Sequence, residues 1–153
     1  MAKSLLSNKD KVYTTNYYNA FIVISDDCPV YIAEVPPLSN RAFAAKTVAR
    51  LTFDMIMKHP YRYTSDEVLF EVYMTKNGFN REKDELRRKD FFSRKQSCLR
   101  SSPLVKRYGW GIHHNEEGKV ALVPMESHQY LQMAHSTQLK VMKGIEVIPR
   151  GCK

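Results

Sequence analysis

The segment from Thr64 to Gly78 is marked as a helix at both of its ends. Thr64 is followed three residues later by Glu67, and this spacing is typical of a capping box that closes the start of a helix. Asn77-Gly78 supplies a residue pair that stops a helix in the left-handed conformation. The alternating apolar residues between these ends would also suit a strand, but the two end signals favour a helix over residues 65–77.

A β-hairpin is predicted over residues 110–123, because two short runs flank a loop that ends in Gly118. A further strand is predicted over residues 17–25, which are rich in aromatic and β-branched residues, with Phe21 to Ile24 buried on both faces. Short strands combined with helices indicate an α+β fold, with about four helices packed with a small antiparallel sheet.

The remaining helical segments are 47–58, 81–95, a short turn that starts at Ser102-Pro103 and ends near Gly109, and a last helix from Ser127 to about Met142. The apolar face of the first is predicted to hold Val48, Leu51, Met55 and Ile56. The second is nearly all charged, and its apolar anchors are Leu86, Phe91 and Phe92. Helices followed by a basic hairpin also suit a winged-helix-like arrangement, which we keep as the alternative.

With 153 residues the chain has the usual size of one domain. We expect a single globular domain over residues 14–144, a frayed N-terminus over 1–13 and a C-terminal tail over 145–153. The longest apolar runs are about five residues, too short for a signal peptide or a membrane span, so a cytoplasmic location without a membrane partner is predicted. Three cysteines without CxxC spacing argue against a disulfide framework and against a zinc knuckle.

The charge is unevenly distributed and strongly positive. The chain holds 24 Lys and Arg against 16 Asp and Glu, a net charge of +8. Residues 81–107 alone contain ten of these cations and four carboxylates. Such a field favours anionic partners. The segment is interpreted either as a solvated helix face or as an anion-binding face.

Residues 98–114, CLRSSPLVKRYGWGIHH, form the segment richest in chemically useful side chains. A helical turn at Ser102-Pro103 would offer backbone N–H groups to an anion. The predicted ligand-binding residues are Arg100, Lys106, Arg107 and Trp110. The alternative is a structural corner in which Trp110 fills the core.

Catalytic candidates lie in the same segment. Cys98 with His113 or His114 would supply a thiol nucleophile and a base, and Tyr108 is the fourth candidate. His113 and His114 are adjacent, so on a strand they point to opposite faces and cannot both serve one metal. We predict no metal site and no cofactor.

Aromatic residues near the cations permit nucleic-acid binding, since bases stack on exposed rings. The rings concerned are Tyr61, Tyr63, Tyr108 and Trp110. No signature of a common RNA- or DNA-binding module accompanies them.

Several sequence blocks resemble a family of small bacterial proteins known only as a domain of unknown function. They are Thr14-Thr15-Asn16-Tyr17-Tyr18, residues 27–37, residues 59–70 and the long block of residues 96–113. The resemblance covers roughly residues 14–133. It implies a compact single domain and no particular activity, cofactor or catalytic residue.

The function predicted from these features is a basic binding domain for an anionic partner, either nucleic acid or a phosphorylated small molecule. The alternative is a small enzyme with a pocket built from residues 98–114. A partner-binding subunit is the third reading, and the sequence does not indicate an oligomeric state. The first two require Arg100, Trp110 and a histidine to surround one shared hollow.

Overall fold

A computed structural model of the chain describes residues 11–39 and 46–146. The strands are β1 (Ala20–Val23), β2 (Trp110–His114), β3 (Val120–Pro124) and β4 (Lys140–Lys143). The helices are α1 (Val48–Lys58), α2 (Ser65–Asn77), α3 (Asp84–Phe92), α4 (Pro103–Lys106) and α5 (His128–Ala134). Short 3-10 turns at Arg81–Lys83 and Leu99–Ser101 precede α3 and α4.

The four strands form one mixed sheet in the order β3-β2-β1-β4. The β2–β3 hairpin and the β1–β2 pair are antiparallel, whereas β4 runs parallel to β1. The α+β fold and the 110–123 hairpin are therefore confirmed, with one parallel pair in addition to the antiparallel ones. The expected strand over residues 17–25 is also confirmed, although its paired part is limited to β1.

The two faces of the sheet pack against different helices. On one face Ile22 and Ile112 join Ile56 of α1 and Val68 of α2 in the main core. On the other face the ring of Phe21 packs edge-on against Tyr130 of α5, with centroids 5.3 Å apart. Gly111 lies beneath these two rings, and a Cβ there would come within 2.6 Å of Phe21 Cζ. Glycine is needed at that position to let the rings approach the sheet.

Helix α2 has both predicted ends. Thr64 Oγ1 accepts a hydrogen bond from the Glu67 N–H, and the Glu67 carboxylate accepts one from the Thr64 N–H. Gly78 ends the helix with φ of +60°, in the left-handed region. Local capping chemistry is sufficient to define this element.

Helix α1 begins after Thr47 and ends at Lys58, as predicted. Of its predicted apolar face, Ile56 is buried, and Leu51 and Met55 are half-buried against the main core. The buried residues are Ala49, Thr52, Phe53 and Ile56. Val48, predicted for the core, is 47% exposed. Thr52 can take a buried position because its hydroxyl donates to the Val48 carbonyl, 2.8 Å away.

The predicted helix over residues 81–95 is shorter and divided. Asn80 caps the turn Arg81–Lys83, and α3 follows only as far as Phe92. Leu86 was wrongly assigned as an apolar anchor, since it is 69% exposed. Phe91 and Phe92 are buried as predicted and pack with Phe70 and Met74 of α2.

The predicted last helix to about Met142 is wrong in its second half. Ser127 caps α5 as expected, but the helix ends at Ala134. Residues 140–143 instead form β4 and pair with β1 in the register Phe21 to Val141. Pairing with the central strand outweighs the local helical pattern.

Within the described ranges, no helix combines the length and the apolar character needed to cross a bilayer. Most of the predicted frayed N-terminus and of the C-terminal tail, residues 1–10 and 147–153, lies outside the described residues. Tyr13, which was assigned to the frayed segment, donates its N–H to the Phe92 carbonyl at 2.8 Å.

Candidate functional site

The segment 97–103 is held between the sheet and helices α1 and α2. Leu99 is buried in the main core, and Leu104 at the start of α4 is buried against Phe53 and Trp110. Ser102 caps α4 by accepting a hydrogen bond from the Leu104 N–H. These anchors fix the backbone and leave Cys98 and Arg100 only half-buried.

An apolar pocket of about 380 Å³ lies between this segment and helices α1 and α2. Its lining consists of Val48, Thr52, Leu69, Val72, Tyr73, Lys76, Asn77, Ser97, Cys98, Leu99, Ser101, Ser102 and Pro103. The only charged residue in this lining is Lys76, and no carboxylate is included. The Lys76 ammonium donates to the Lys46 carbonyl and is exposed, so it lies where solvent reaches the pocket.

A polar pocket of about 480 Å³ lies on the same segment. It is lined by residues 13–17, by residues 95–98 and by Ser101 and Ile145. Ser97, Cys98 and Ser101 line both pockets. Lys95 is the only charged residue of the polar lining. Both pockets therefore combine one cation with hydroxyl groups and contain no acidic side chain.

Cys98 and Arg100 meet at the hydroxyl of Tyr17. The Tyr17 hydroxyl donates to Cys98 Sγ over 3.3 Å. This hydrogen bond and partial burial raise the pKa of Tyr17, and the Arg100 guanidinium opposes that shift. Arg100 is in turn fixed by donating from Nε to the Lys143 carbonyl at the end of β4. Cys98, Arg100 and the Tyr17 hydroxyl are thus positioned by three parts of the chain: the segment before β1, residues 97–103 and the end of β4.

Trp110 fills the core, as the structural alternative proposed. It is 8% exposed, and its ring lies 5.3 Å from that of Phe53. Its indole N–H donates to the Glu34 carbonyl at 2.8 Å. With its ring and its donor engaged inside the protein, Trp110 does not line either of the two pockets.

Lys106, Arg107 and Tyr108 lie at the other end of α4. Arg107 is exposed and Lys106 half-buried, and among the described residues neither side chain forms an ion pair or hydrogen bond. Tyr108 packs beside Phe53 and Trp110, and its carbonyl accepts the Glu34 N–H. None of the three lines a pocket together with Cys98.

His114 is fully buried on the face of the sheet that packs against α1 and α2. Its ring meets the ring of Tyr17 edge-on, with centroids 5.6 Å apart. Among the described residues, neither ring nitrogen forms a hydrogen bond of normal length and angle. Burial lowers the pKa of His114 to about 4, the backbone of Ile112 offsets a part of this shift, and His113 adds to it. The ring is neutral near pH 7.

His113 projects from the opposite face of β2, as strand alternation predicts. Its Nδ1 lies 2.7 Å from the Tyr61 hydroxyl, and burial lowers the pKa of His113 and raises the pKa of Tyr61. Tyr61 has φ of +60°, which is uncommon for a bulky residue. The two histidines therefore belong to separate surroundings, and among the described residues neither is hydrogen-bonded to the thiol of Cys98.

Most cations of the 81–95 segment are engaged locally. Arg81 pairs with Glu71 and Asp84, and Arg94 pairs with Asp90. The guanidinium of Arg87 lies 3.9 Å from the centre of the Phe79 ring, and Arg88 lies over Phe92. Lys83, Lys89 and Lys95 have no such partner among the described residues, so they contribute the free positive charge of this face.

The single hollow expected around Arg100, Trp110 and a histidine is not formed. The structure brings together Cys98 and Arg100, but it joins them to Tyr17 and to two pockets that sequence reasoning did not identify. Tyr17 and Ser97 lie in the blocks that carry the family resemblance, but no motif in the sequence joins them to each other or to Lys76. Their proximity depends on the packing of distant segments. Among the described residues no group of three His, Cys, Asp or Glu side chains is placed to hold a metal ion.

The model of a family of unknown function, DUF6157, matches residues 12–148. No curated protein and no solved structure matches the chain, so the winged-helix-like alternative and the bacterial origin stay predictions. Because the family model covers nearly the whole sequence, the chain belongs to the family of unknown function DUF6157.

Proposed function

We propose that the chain is a binding domain for a small organic anion with an apolar body, held in the apolar pocket. The observation that carries the proposal is the composition of that pocket, which has apolar walls, a few hydroxyl groups, one ammonium group and no carboxylate. Pockets of this size with few polar groups are typical of small-molecule sites. The proposal keeps the anionic partner predicted from the sequence and specifies it as a small molecule with an apolar body.

We infer the negative charge of the ligand by comparing the charged residues that line the different pockets. Two other pockets beside α1 and α2 are lined by carboxylates, Asp54 and Glu71 in one and Glu67, Glu71, Asp84 and Glu85 in the other. The apolar pocket and the polar pocket contain only Lys76 and Lys95 as charged groups. A net charge of +8 adds a favourable long-range field for an anion.

Binding is tested with the fluorescent probe 1-anilinonaphthalene-8-sulfonate, an aromatic anion. We expect a saturable rise in its fluorescence with the folded protein at neutral pH, and displacement by octanoate. Octylammonium, with the same chain and the opposite charge, should compete at least about tenfold less well, because it lacks attraction to Lys76. Equal competition by the two compounds would contradict the choice of an anion.

Two substitutions locate the site. Val48→Trp places a large ring at the pocket mouth from an exposed position and should weaken probe binding at least about tenfold. Lys76→Gln should reduce the preference for octanoate about three- to fivefold, as expected for an exposed charge. The matched controls are Leu86→Trp and Lys89→Gln on α3, which lie outside the pocket. Loss of binding in the controls as well would point to a nonspecific effect.

Nucleic acid is the second anionic partner proposed from the sequence. The favouring observation is the free charge of Lys83, Lys89, Lys95 and Arg107, although most neighbouring arginines are engaged by rings and carboxylates. Retention on heparin or DNA that weakens steeply with salt would support this candidate, since released counterions produce that slope. No retention at low salt would exclude it.

The enzyme alternative is favoured by one observation, namely that Cys98 lines both pockets and accepts a hydrogen bond from Tyr17. Nucleophilic catalysis also requires a base near the thiol. Catalytic roles for Cys98, Tyr108, His113 and His114 stay predictions, as does the cytoplasmic location. Cys98→Ser should leave probe binding intact if the site only binds its ligand.

A further inference from the structure

The loop after β1 exposes an unusual row of aliphatic side chains. Burial along residues 30–39 repeats every three residues, with Val30, Ala33, Pro36 and Ser39 turned inward and all positions between them exposed. A three-residue period is that of the polyproline II conformation, which the prolines of this segment favour. One outward row consists of Ile32, Val35 and Leu38, each more than half exposed.

Four hydrogen bonds to three other segments of the chain hold this loop in place. The Ala33 N–H donates to Glu126 Oε1, and the Glu34 N–H donates to the Tyr108 carbonyl. The Glu34 carbonyl accepts from the Trp110 indole, and the Pro36 carbonyl accepts from Arg50 Nη1. The aliphatic row is therefore presented on a fixed support, and binding to it costs little conformational entropy.

The apolar surface is extended on either side of this row. Tyr31 is 92% exposed, and Val48 lies beside Leu38 because the Thr47 N–H donates to the Leu38 carbonyl. With about 150–200 Å² for each side chain, the exposed parts of the five residues amount to roughly 500 Å². A standard protein interface buries about 800 Å² on each partner, so this patch is large enough to form the centre of one.

We infer that this patch, defined as Tyr31, Ile32, Val35, Leu38 and Val48, is the interface of a homodimer. The occupant is a second copy of the chain because the patch is complementary to itself. When two copies pair antiparallel about a twofold axis at Val35, Ile32 of one copy faces Leu38 of the other. Glu34 of each copy then faces residue 36 of the other, where Arg50 is bound to the Pro36 carbonyl. Arg50 and Lys46 both pair with Asp54, so this group of two cations and one carboxylate keeps a net charge of +1 and attracts Glu34 of the other copy at two symmetric places.

Sedimentation velocity over protein concentrations from about 1 to about 200 µM tests the dimer. The parent chain should pass from monomer to dimer with a micromolar dissociation constant. Val35→Asp places two like charges at the axis and should raise that constant at least about 100-fold. Glu34→Arg should raise it about tenfold by bringing two cations together.

Leu86→Asp is the matched control, since Leu86 is an equally exposed apolar residue on α3, away from the patch. It should leave the dissociation constant unchanged. Circular dichroism should show that all three variants are folded, because each replaces an exposed side chain. A parent chain that stays monomeric throughout the concentration range overturns the proposal. A dimer that persists unchanged in Val35→Asp overturns it equally.

Discussion

Asp66→Ala should lower the free energy of unfolding by about 4 kcal/mol, a large fraction of the total for a chain of this size. Asp66 is nearly buried at the start of α2 and accepts three hydrogen bonds. The donors are the Thr15 N–H and the Thr15 hydroxyl to Oδ1 and the Thr14 hydroxyl to Oδ2, each over 2.7 Å. Removal of the carboxylate leaves the buried Thr15 N–H unpaired, while the Thr15 hydroxyl keeps only Ser65 Oγ, 2.8 Å away. Urea unfolding followed by Trp110 fluorescence measures the effect.

The neighbouring carboxylate provides the control for this prediction. Glu67→Ala removes the exposed half of the capping box and should cost only about 0.5–1 kcal/mol. A double-mutant cycle with Thr15→Val should show strong coupling to Asp66 and little to Glu67. Equal losses in the two alanine variants would mean that capping of α2, and not attachment of residues 14–16, accounts for the role of Asp66.

The elements that the sequence predicts well are those with local end signals. The cap of α2, the turn at Ser102-Pro103 and the hairpin loop at Gly118 each depend on residues within a few positions of one another. Their hydrogen bonds form in any context that leaves the segment exposed at its ends. This is why the predicted bounds of α2 are correct to the residue, whereas those of α3 and α5 are not.

Strand β4 shows what local patterns cannot supply. Residues 128–142 have a helical pattern, but the helix ends at Ala134, with His135 as its C-cap. A turn follows, in which Ser136 Oγ accepts a hydrogen bond from the Gln138 N–H. The next residues pair with β1, more than a hundred positions earlier. The Ser136-Thr137 pair is a local signal of that break, but nothing local identifies β1 as the partner.

The two pockets around Cys98 could not be predicted from the sequence for a related reason. Residues 98–114 are close together in the sequence and contain many reactive side chains. Because α4 and β2 both lie within this stretch, their backbone directs these side chains to different parts of the structure. Trp110 and His114 enter the core on one face of the sheet, and His113 leaves on the other. The partners of Cys98 come instead from residue 17 and from α2, at distances along the chain that composition cannot connect.

The buried imidazole of His114 should make stability fall steeply in acid. Its pKa is about 4 in the folded protein and about 6.5 in the unfolded chain, so the unfolded state binds the proton first. The stability that neutral His114 contributes is fully present above pH 6.5 and is lost as the pH falls toward 4. By linkage the loss amounts to about 3 kcal/mol.

His114→Phe should remove this dependence while it keeps the edge-on contact with Tyr17. The difference in unfolding free energy between the two proteins should change by about 3 kcal/mol between pH 7.5 and pH 4, because carboxylates elsewhere cancel in the comparison. At pH 7.5 the variant should be more stable by about 1 kcal/mol, since two unpaired buried nitrogens disappear. Ile112→Val, a neighbouring core change without a titrating group, should instead cost about 1 kcal/mol at every pH. Parallel pH curves for the parent and His114→Phe would show that the imidazole is hydrated in solution, with water satisfying the nitrogens that have no protein partner.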